Sequence, residues 1–152
     1  VLDRLAAAEF AALPTNYARA YGLTMAAEVC AGVRDAERAA VLYGQLQPYT
    51  GLVATAGSLT PGSVDHYLGL LAAVEGRFDQ AGRHFEAAHA SHEALAAPIW
   101  LARTRLEWAR MLLTRRQPGD TSRAQELLGQ ALDSARELGL ANIERRALEL
   151  LK

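Results

Sequence analysis

Histidine is the residue type in this sequence that most directly raises the question of metal binding or acid–base chemistry. Three of the four histidines, His84, His89 and His92, fall within one predicted helix. Zinc needs three or four ligands that converge on one point, whereas His84 projects about 140° away from His89 around a helix. We therefore expect no metal ion here, and we interpret these histidines as packed or solvent-facing. His66 lies on another predicted helix, three residues before Gly69, where a contact role in a groove is one interpretation and a packed or plain surface position is the alternative.

A run of arginines forms a second group with possible binding chemistry. Arg103 and Arg110 are seven residues apart, so they lie on nearly the same face of a helix. Two guanidinium groups held together can bind a carboxylate or a phosphate. The alternative is a solvated helix face that is partly paired with Glu107 and Asp120. The full run consists of Arg103, Arg105, Arg110, Arg115 and Arg116.

Nucleophiles in a catalytic setting are missing from the sequence pattern. Cys30 lies between Val29 and Ala31, which is typical of a small buried hydrophobic residue. No serine lies in a GxSxG motif, and Trp100 and Trp108 are interpreted as core residues. We expect that the chain is not an enzyme and carries no cofactor.

Composition excludes several classes of function. The chain has 152 residues, with 16 basic and 17 acidic side chains and a net charge of −1, so we expect no nucleic-acid binding. No apolar run approaches the ~20 residues of a membrane span, and the first residues lack the basic region and apolar core of a signal peptide. One cysteine fits a reducing compartment, so we expect a cytoplasmic protein. Because the first residue is Val1, we expect a segment of a longer protein, forming a single domain over residues 1–152.

Caps and helix breakers divide the chain into about eight predicted helices and no strand. The apolar loop Tyr49–Gly62 is expected to be partly buried against them. The predicted helices are about Leu2–Leu13, Asn16–Ala31, Asp35–Pro48, Ser63–Gly76, Asp79–Leu95, Pro98–Arg116, Asp120–Gly139 and Asn142–Lys152.

An internal repeat predicts how these helices pack. Each repeat has a small residue, a large residue four positions later and a packing residue three positions after that, all on one helical face. A small residue also occurs on the preceding helix, at Ala27, Gly69 and Ala109. A helical glycine costs about 1 kcal/mol relative to alanine, so Gly69 predicts a close approach between two helices. The triplets are Ala39/Tyr43/Leu46, Ala81/Phe85/Ala88 and Ala124/Leu128/Ala131.

These positions resemble the tetratricopeptide signature, although the repeat here is about 42 residues long instead of the usual 34. Longer stretches, including YLGLLA, HFEAA and LARTRLEWARMLL, are similar to the C-terminal helical region of actinobacterial multidomain ATPases. Those proteins include the large ATP-binding LuxR-type transcriptional regulators and cyclase–ATPase fusions. The resemblance implies an all-α superhelix of antiparallel hairpins that takes part in signal transduction. The chain has no GxxxxGK[ST] motif, so it does not carry the ATPase.

The predicted function is a non-catalytic, regulatory scaffold that binds a protein, a peptide or another domain of the parent protein. Stacked hairpins of this kind form a continuous groove. The alternatives are a sensor for a small-molecule inducer and a homo-oligomerisation module. The predicted groove residues are Tyr21, Thr24, Glu28, His66, Leu70, Arg103, Leu106 and Arg110.

Overall fold

Helices dominate the computed structural model, which describes residues 18–152. The all-α prediction is confirmed, and the predicted helix at residues 2–13 lies outside the described residues. A short 3₁₀ turn, Gln47–Tyr49, and one β-hairpin separate the second helix from the third. The elements are α1 (Arg19–Val33), α2 (Ala36–Leu46), β1 (Val53–Ala56), β2 (Leu59–Ser63), α3 (Val64–Val74), α4 (Phe78–Ala94), α5 (Pro98–Arg115), α6 (Asp120–Leu138) and α7 (Ala141–Leu150).

Local capping chemistry explains where these helices begin and end. The Asp35 side chain accepts a hydrogen bond from the backbone N–H of Arg38, at 3.0 Å, and caps α2. The Ser63 side chain caps α3 in the same way. Pro98 lies in the first turn of α5, where its missing N–H has no cost. Gly139, with φ of 68°, ends α6 in the left-handed conformation that glycine adopts most easily.

The hairpin corrects the prediction of a strandless chain. β1 and β2 pair antiparallel, with Val53 opposite Ser63 and an irregularity between Ala54 and Ala56. The two strands are short, and Pro61 within β2 argues against a strand in the sequence. Tertiary contacts hold the hairpin, since Ala54 is buried and the Tyr67 hydroxyl donates to the Pro61 carbonyl at 2.8 Å. The expectation that this segment is partly buried is confirmed.

The chain divides into two compact units, with the boundary inside α4 between Ala87 and Ala88. In the first unit, α1, α2 and α3 pack against one another, and the hairpin contacts α1 and α3. In the second unit, α6 packs along α5, and α7 contacts both of them. None of the helices between residues 18 and 152 combines the length and the apolar character that crossing a bilayer requires.

Burial follows the repeat that the sequence predicts. All nine triplet residues are buried, as are Ala27 and Ala109 on the preceding helices. Helix α3 is buried on every side from Val64 to Ala72, which is typical of a central helix. The residues of the repeat therefore mark the helix faces that pack against each other inside each unit.

Gly69 confirms the predicted close approach of helices. A Cβ atom added to Gly69 would lie 2.9 Å from two ring atoms of Phe85, closer than a van der Waals contact allows. The Phe85 side chain is fully buried and has little room to move. Position 69 of α3 therefore requires glycine despite its lower helix propensity, because the Phe85 ring occupies the space that a side chain at this position would fill.

We predict that Gly69→Ala lowers the free energy of unfolding by about 1–3 kcal/mol, because overpacking outweighs the gain in helix propensity. Gly44→Ala is the matched control, since a Cβ at this helical glycine meets no atom within 4 Å. That variant should gain about 0.5–1 kcal/mol. Urea unfolding measures both, and adding Phe85→Leu should reduce the cost of Gly69→Ala. Equal stability of the two glycine variants would contradict this account.

Candidate functional site

A chain of hydrogen bonds in the first unit resembles a catalytic relay. Asp65 Oδ1 lies 2.8 Å from His84 Nδ1, and His84 Nε2 lies 2.8 Å from the Tyr43 hydroxyl. Gln80 Nε2 donates to the same hydroxyl at 2.5 Å. The second oxygen of Asp65, Oδ2, accepts the backbone N–H of Gly51 at 2.8 Å. The chain therefore links α2, α3, α4 and the segment before β1.

The donors and acceptors of this relay fix the histidine tautomer. Because the Gln80 amide donates to the Tyr43 oxygen, the hydroxyl proton is directed to His84 Nε2, which must accept. His84 Nδ1–H then donates to Asp65. Burial raises the pKa of Tyr43, the opposite of what a nucleophilic phenolate needs. We assign the relay a structural role, which is to satisfy a carboxylate that is only 2% exposed.

The predicted groove residues of the first unit differ in accessibility. The Thr24 side chain is buried and its hydroxyl donates to the Tyr21 carbonyl at 2.7 Å. His66 is also buried, and its ring packs edge-on against Phe85 with 6.1 Å between ring centroids. Leu70 is buried too. Thr24, His66 and Leu70 are therefore core residues here, whereas Tyr21 is half-buried and Glu28 is exposed.

The predicted groove residues of the second unit lie on α5. Leu106 is buried in the core. Arg103 is half-buried, and its guanidinium lies 4.8 Å from the centre of the Trp100 ring. Arg110 forms a 2.6 Å ion pair with Glu107, which forms a second 2.6 Å pair with Arg146 of α7. Arg103 and Arg110 thus have separate intramolecular contacts, and for Arg110 the structure matches the paired alternative.

Arg115 also follows the paired alternative. Two of its guanidinium nitrogens donate to Asp120, at 2.9 and 2.7 Å. These hydrogen bonds, opposed by burial, lower the pKa of Asp120, and the backbone N–H of Gln117 adds a third hydrogen bond. This pair closes the turn between α5 and α6.

Arg105 has a different environment. Its Nε donates to His89 Nε2 at 3.2 Å, and within residues 18–152 this is its only hydrogen bond. The His89 ring meets Trp108 edge-on at 6.1 Å, and the Arg123 guanidinium lies 5.3 Å from the centre of the same Trp108 ring. We call His89, Arg105, Trp108 and Arg123 the Arg105 cluster.

The electrostatics of the Arg105 cluster favour an added negative charge. Burial lowers the pKa of Arg105, Arg123 lowers it further, and Glu93 opposes both. Burial, followed by the charge of Arg105, lowers the pKa of His89, which keeps its ring neutral and able to accept. In the described chain, Arg105 forms no ion pair within 4 Å, and the residue is half-buried. Its two terminal guanidinium nitrogens form no hydrogen bond to the described residues.

Sequence reasoning included Arg105 in the arginine run but selected Arg103 and Arg110. The register of α5 alone favours that pair because they share a face. What distinguishes Arg105 is its hydrogen bond to the His89 ring beside Trp108, which depends on a side chain from α4. The sequence pattern interprets His89 as packed or solvent-facing and Trp108 as a core residue, and it contains no signal that joins them to Arg105.

The remaining candidates show no reactive chemistry. Cys30 is buried, and burial raises the pKa of its thiol to about 11, so it remains protonated at neutral pH. Among residues 18–152, no group of three or more His, Cys, Asp and Glu side chains is placed to hold a metal ion. His92 is buried, with Nδ1 3.2 Å from the Thr104 hydroxyl.

We predict that Tyr43→Phe lowers the free energy of unfolding by about 1–3 kcal/mol, because His84 and Gln80 each lose a buried partner. Tyr21→Phe is the matched control, since the Tyr21 hydroxyl has no hydrogen bond within the described residues. It should change stability by less than about 0.5 kcal/mol. Denaturant unfolding monitored by circular dichroism distinguishes the two, and a neutral Tyr43→Phe would argue against a stabilising relay.

We predict that His92 makes the protein less stable in acid. Burial lowers the pKa of His92 from 6.5 to about 4, and the charges of His89, once it is protonated in acid, and of Arg103 add to this effect. Between these two pKa values the unfolded chain protonates His92, whereas the folded chain keeps the ring neutral. The free energy of unfolding therefore falls as the pH drops from about 6.5 to about 4, and His92 does not change it above that range. The loss attributable to His92 is roughly 3 kcal/mol.

The measurement is urea unfolding at several pH values between 7.5 and 4, compared with His92→Asn. Asparagine can keep the hydrogen bond to Thr104 but does not titrate. The difference between the two stability curves should narrow as the pH falls, because only the wild-type protein loses the histidine contribution. Parallel curves would show that His92 is not buried as a neutral ring.

Comparison with known proteins places the chain in no family. No protein-family model, no curated protein and no solved structure matches it. The resemblance to tetratricopeptide repeats and to bacterial multidomain ATPases therefore stays a prediction. The arguments for function rest on the residues and contacts described above.

Proposed function

We propose that this chain is a non-catalytic scaffold of the tetratricopeptide type, which binds a protein or peptide partner in the cytoplasm. The observation that carries the proposal is the repeated register of small and large residues, all of them buried. In folds built from such repeats, the recurring small and large residues pack between neighbouring helices. The remaining helix faces form extended binding surfaces.

The disposition of reactive side chains also supports a non-catalytic role. Among the described residues, the Tyr43 phenol and the Cys30 thiol each lie near a polar partner, and burial raises the pKa of both. An enzyme needs a nucleophile or base whose pKa favours reaction near neutral pH. Surface contact, in contrast, needs only accessible side chains such as Glu28, Val29 and Arg105.

The resemblance to regulatory ATPases suggests the partner. We propose that the scaffold serves a larger bacterial signalling or transcription-regulating ATPase, by binding another protein or another domain of that parent. A small-molecule sensor and a homo-oligomerisation module are the competing functions. A sensor requires a closed pocket for its inducer, whereas a scaffold requires an open face.

Selection from a phage-displayed library of 16-residue peptides tests the scaffold function. The immobilised 152-residue chain should enrich related peptides that bind with micromolar dissociation constants, as typical for transient recognition. The control is the Gly69→Ala/Phe85→Ala variant, whose core is disrupted; it should enrich none of them, because the binding surface requires the folded hairpins.

Two measurements address the competing functions. A rise in melting temperature with metabolite mixtures, in the absence of peptide enrichment, would contradict the scaffold function and favour the sensor function. Light scattering that gives a stable dimer at micromolar concentration, again without peptide enrichment, would favour the oligomerisation module. Enrichment of peptides by a monomer supports the scaffold.

A further inference from the structure

We propose that the Arg105 cluster is a binding site for a single carboxylate of a peptide partner, with Arg105 as the main donor and Arg123 as the second. This inference rests on the proposed scaffold function and names the chemistry that one of its surfaces recognises. It does not involve the predicted pair Arg103 and Arg110, whose guanidinium groups have contacts within the chain.

The geometry of Arg105 prepares it for a carboxylate. The hydrogen bond from its Nε to His89 Nε2, at 3.2 Å, holds the guanidinium plane and leaves the two terminal nitrogens as donors. A planar guanidinium with two parallel donors matches the two oxygens of a carboxylate. A lysine in this position would have no fixed plane and would present only a point charge.

The second unit supplies a support for the site. The Trp108 ring meets the His89 ring edge-on, and the Arg123 guanidinium lies over the same Trp108 ring. The Arg123 side chain is 44% exposed and pairs with Glu126 at 2.6 Å through one nitrogen, Nη1. Its charge reaches Arg105, because it lowers the pKa of that residue. The two cations therefore lie close together beside one aromatic surface, and Glu93 acts on Arg105 with the opposite sign.

The nearby acidic side chains determine which anion fits. Glu93 and Glu126 are 62% and 54% exposed and lie beside His89 and Arg123, so the four charged groups of this region sum to zero. A singly charged carboxylate can pair with the half-buried Arg105 while these glutamates stay in water. A doubly charged phosphate would face stronger repulsion from the same two glutamates. The flanking glutamates also disfavour a run of acidic residues, so the expected ligand has one carboxylate between uncharged residues.

A pair of synthetic peptides tests this site directly. The probes are acetyl-Ala-Leu-Glu-Leu-Ala-amide and the same peptide with glutamine in place of glutamate, and the protein carries Trp100→Phe so that Trp108 is its only tryptophan. Trp108 fluorescence and the NMR signal of the Arg105 Nε–H report binding. We expect the glutamate peptide to bind about tenfold more tightly than its glutamine twin, because one charge-assisted pair distinguishes them.

Arginine variants assign the effect to the site. Arg105→Gln should abolish the discrimination between the two peptides, Arg105→Lys should retain little of it, and Arg123→Gln should reduce it about two- to threefold. Arg145→Gln is the matched control, because Arg145 lies on α7 and is already bound to Glu149 and Asn142. It should leave the discrimination unchanged. Melting temperatures confirm that each variant is folded, and Arg123→Gln tests the site even if Arg105 variants do not fold.

The outcomes separate this site from the scaffold function. Equal binding of the two peptides by the wild-type protein, or discrimination that survives Arg105→Gln, would overturn the carboxylate site. Tighter binding of inorganic phosphate than of the glutamate peptide would overturn its assignment to a carboxylate. If the library selection enriches peptides whose binding is insensitive to Arg105→Gln, the scaffold stands and the site is wrong. If no peptide is enriched but the glutamate probe still binds through Arg105, the site stands and the scaffold is wrong.

Discussion

A buried carboxylate constrains the first unit of this protein. Asp65 follows the capping residue of α3, the helix that is buried on every side, so its charge cannot remain there without hydrogen-bond partners. The backbone N–H of Gly51 and the ring of His84 provide them, and His84 is oriented in turn by Tyr43. The segment before β1 and helix α4 are both placed so that Gly51 and His84 can form hydrogen bonds to the Asp65 carboxylate. A structure that moved either element would leave a buried charge unpaired.

Steric fit imposes the second constraint, and it acts on the same helices. Gly69 has no side chain because the Phe85 ring occupies that space, and the repeated small and large residues are buried in the same register along the described chain. The Asp65–His84 hydrogen bond and the Gly69–Phe85 contact therefore favour the same packing of α3 against α4. Such agreement between polar and steric requirements is expected when a sequence specifies one structure. It also explains why few polar side chains in this region remain available for binding.

Arginines illustrate how the structure distributes charge between stability and recognition. Arg110 pairs with Glu107 on its own helix α5, whereas Arg115 pairs with Asp120 at the start of α6. Arg105 has a histidine ring where the others have a carboxylate, so its positive charge is not neutralised by a direct partner in the described residues. An arginine that already pairs with a carboxylate in the fold must lose that pair to bind an external anion, whereas Arg105 has no direct ion pair in the described residues to lose. This difference makes Arg105 the more suitable recognition residue.

The sequence alone determined the helices, because the caps Asp35 and Ser63, the glycine Gly139 and the 3.6-residue period all act within a few residues of each other. It also determined the inward faces, since the repeat of small and large residues directly encodes helix packing. Only the tertiary structure decided the hairpin, although the two-residue Gly57-Ser58 connection was a signal for it. The short strands form because they pack on α1 and α3. Tertiary structure likewise decided that Arg105 donates to the His89 ring, because hydrogen bonds between side chains of different helices depend on distances that the sequence pattern does not contain.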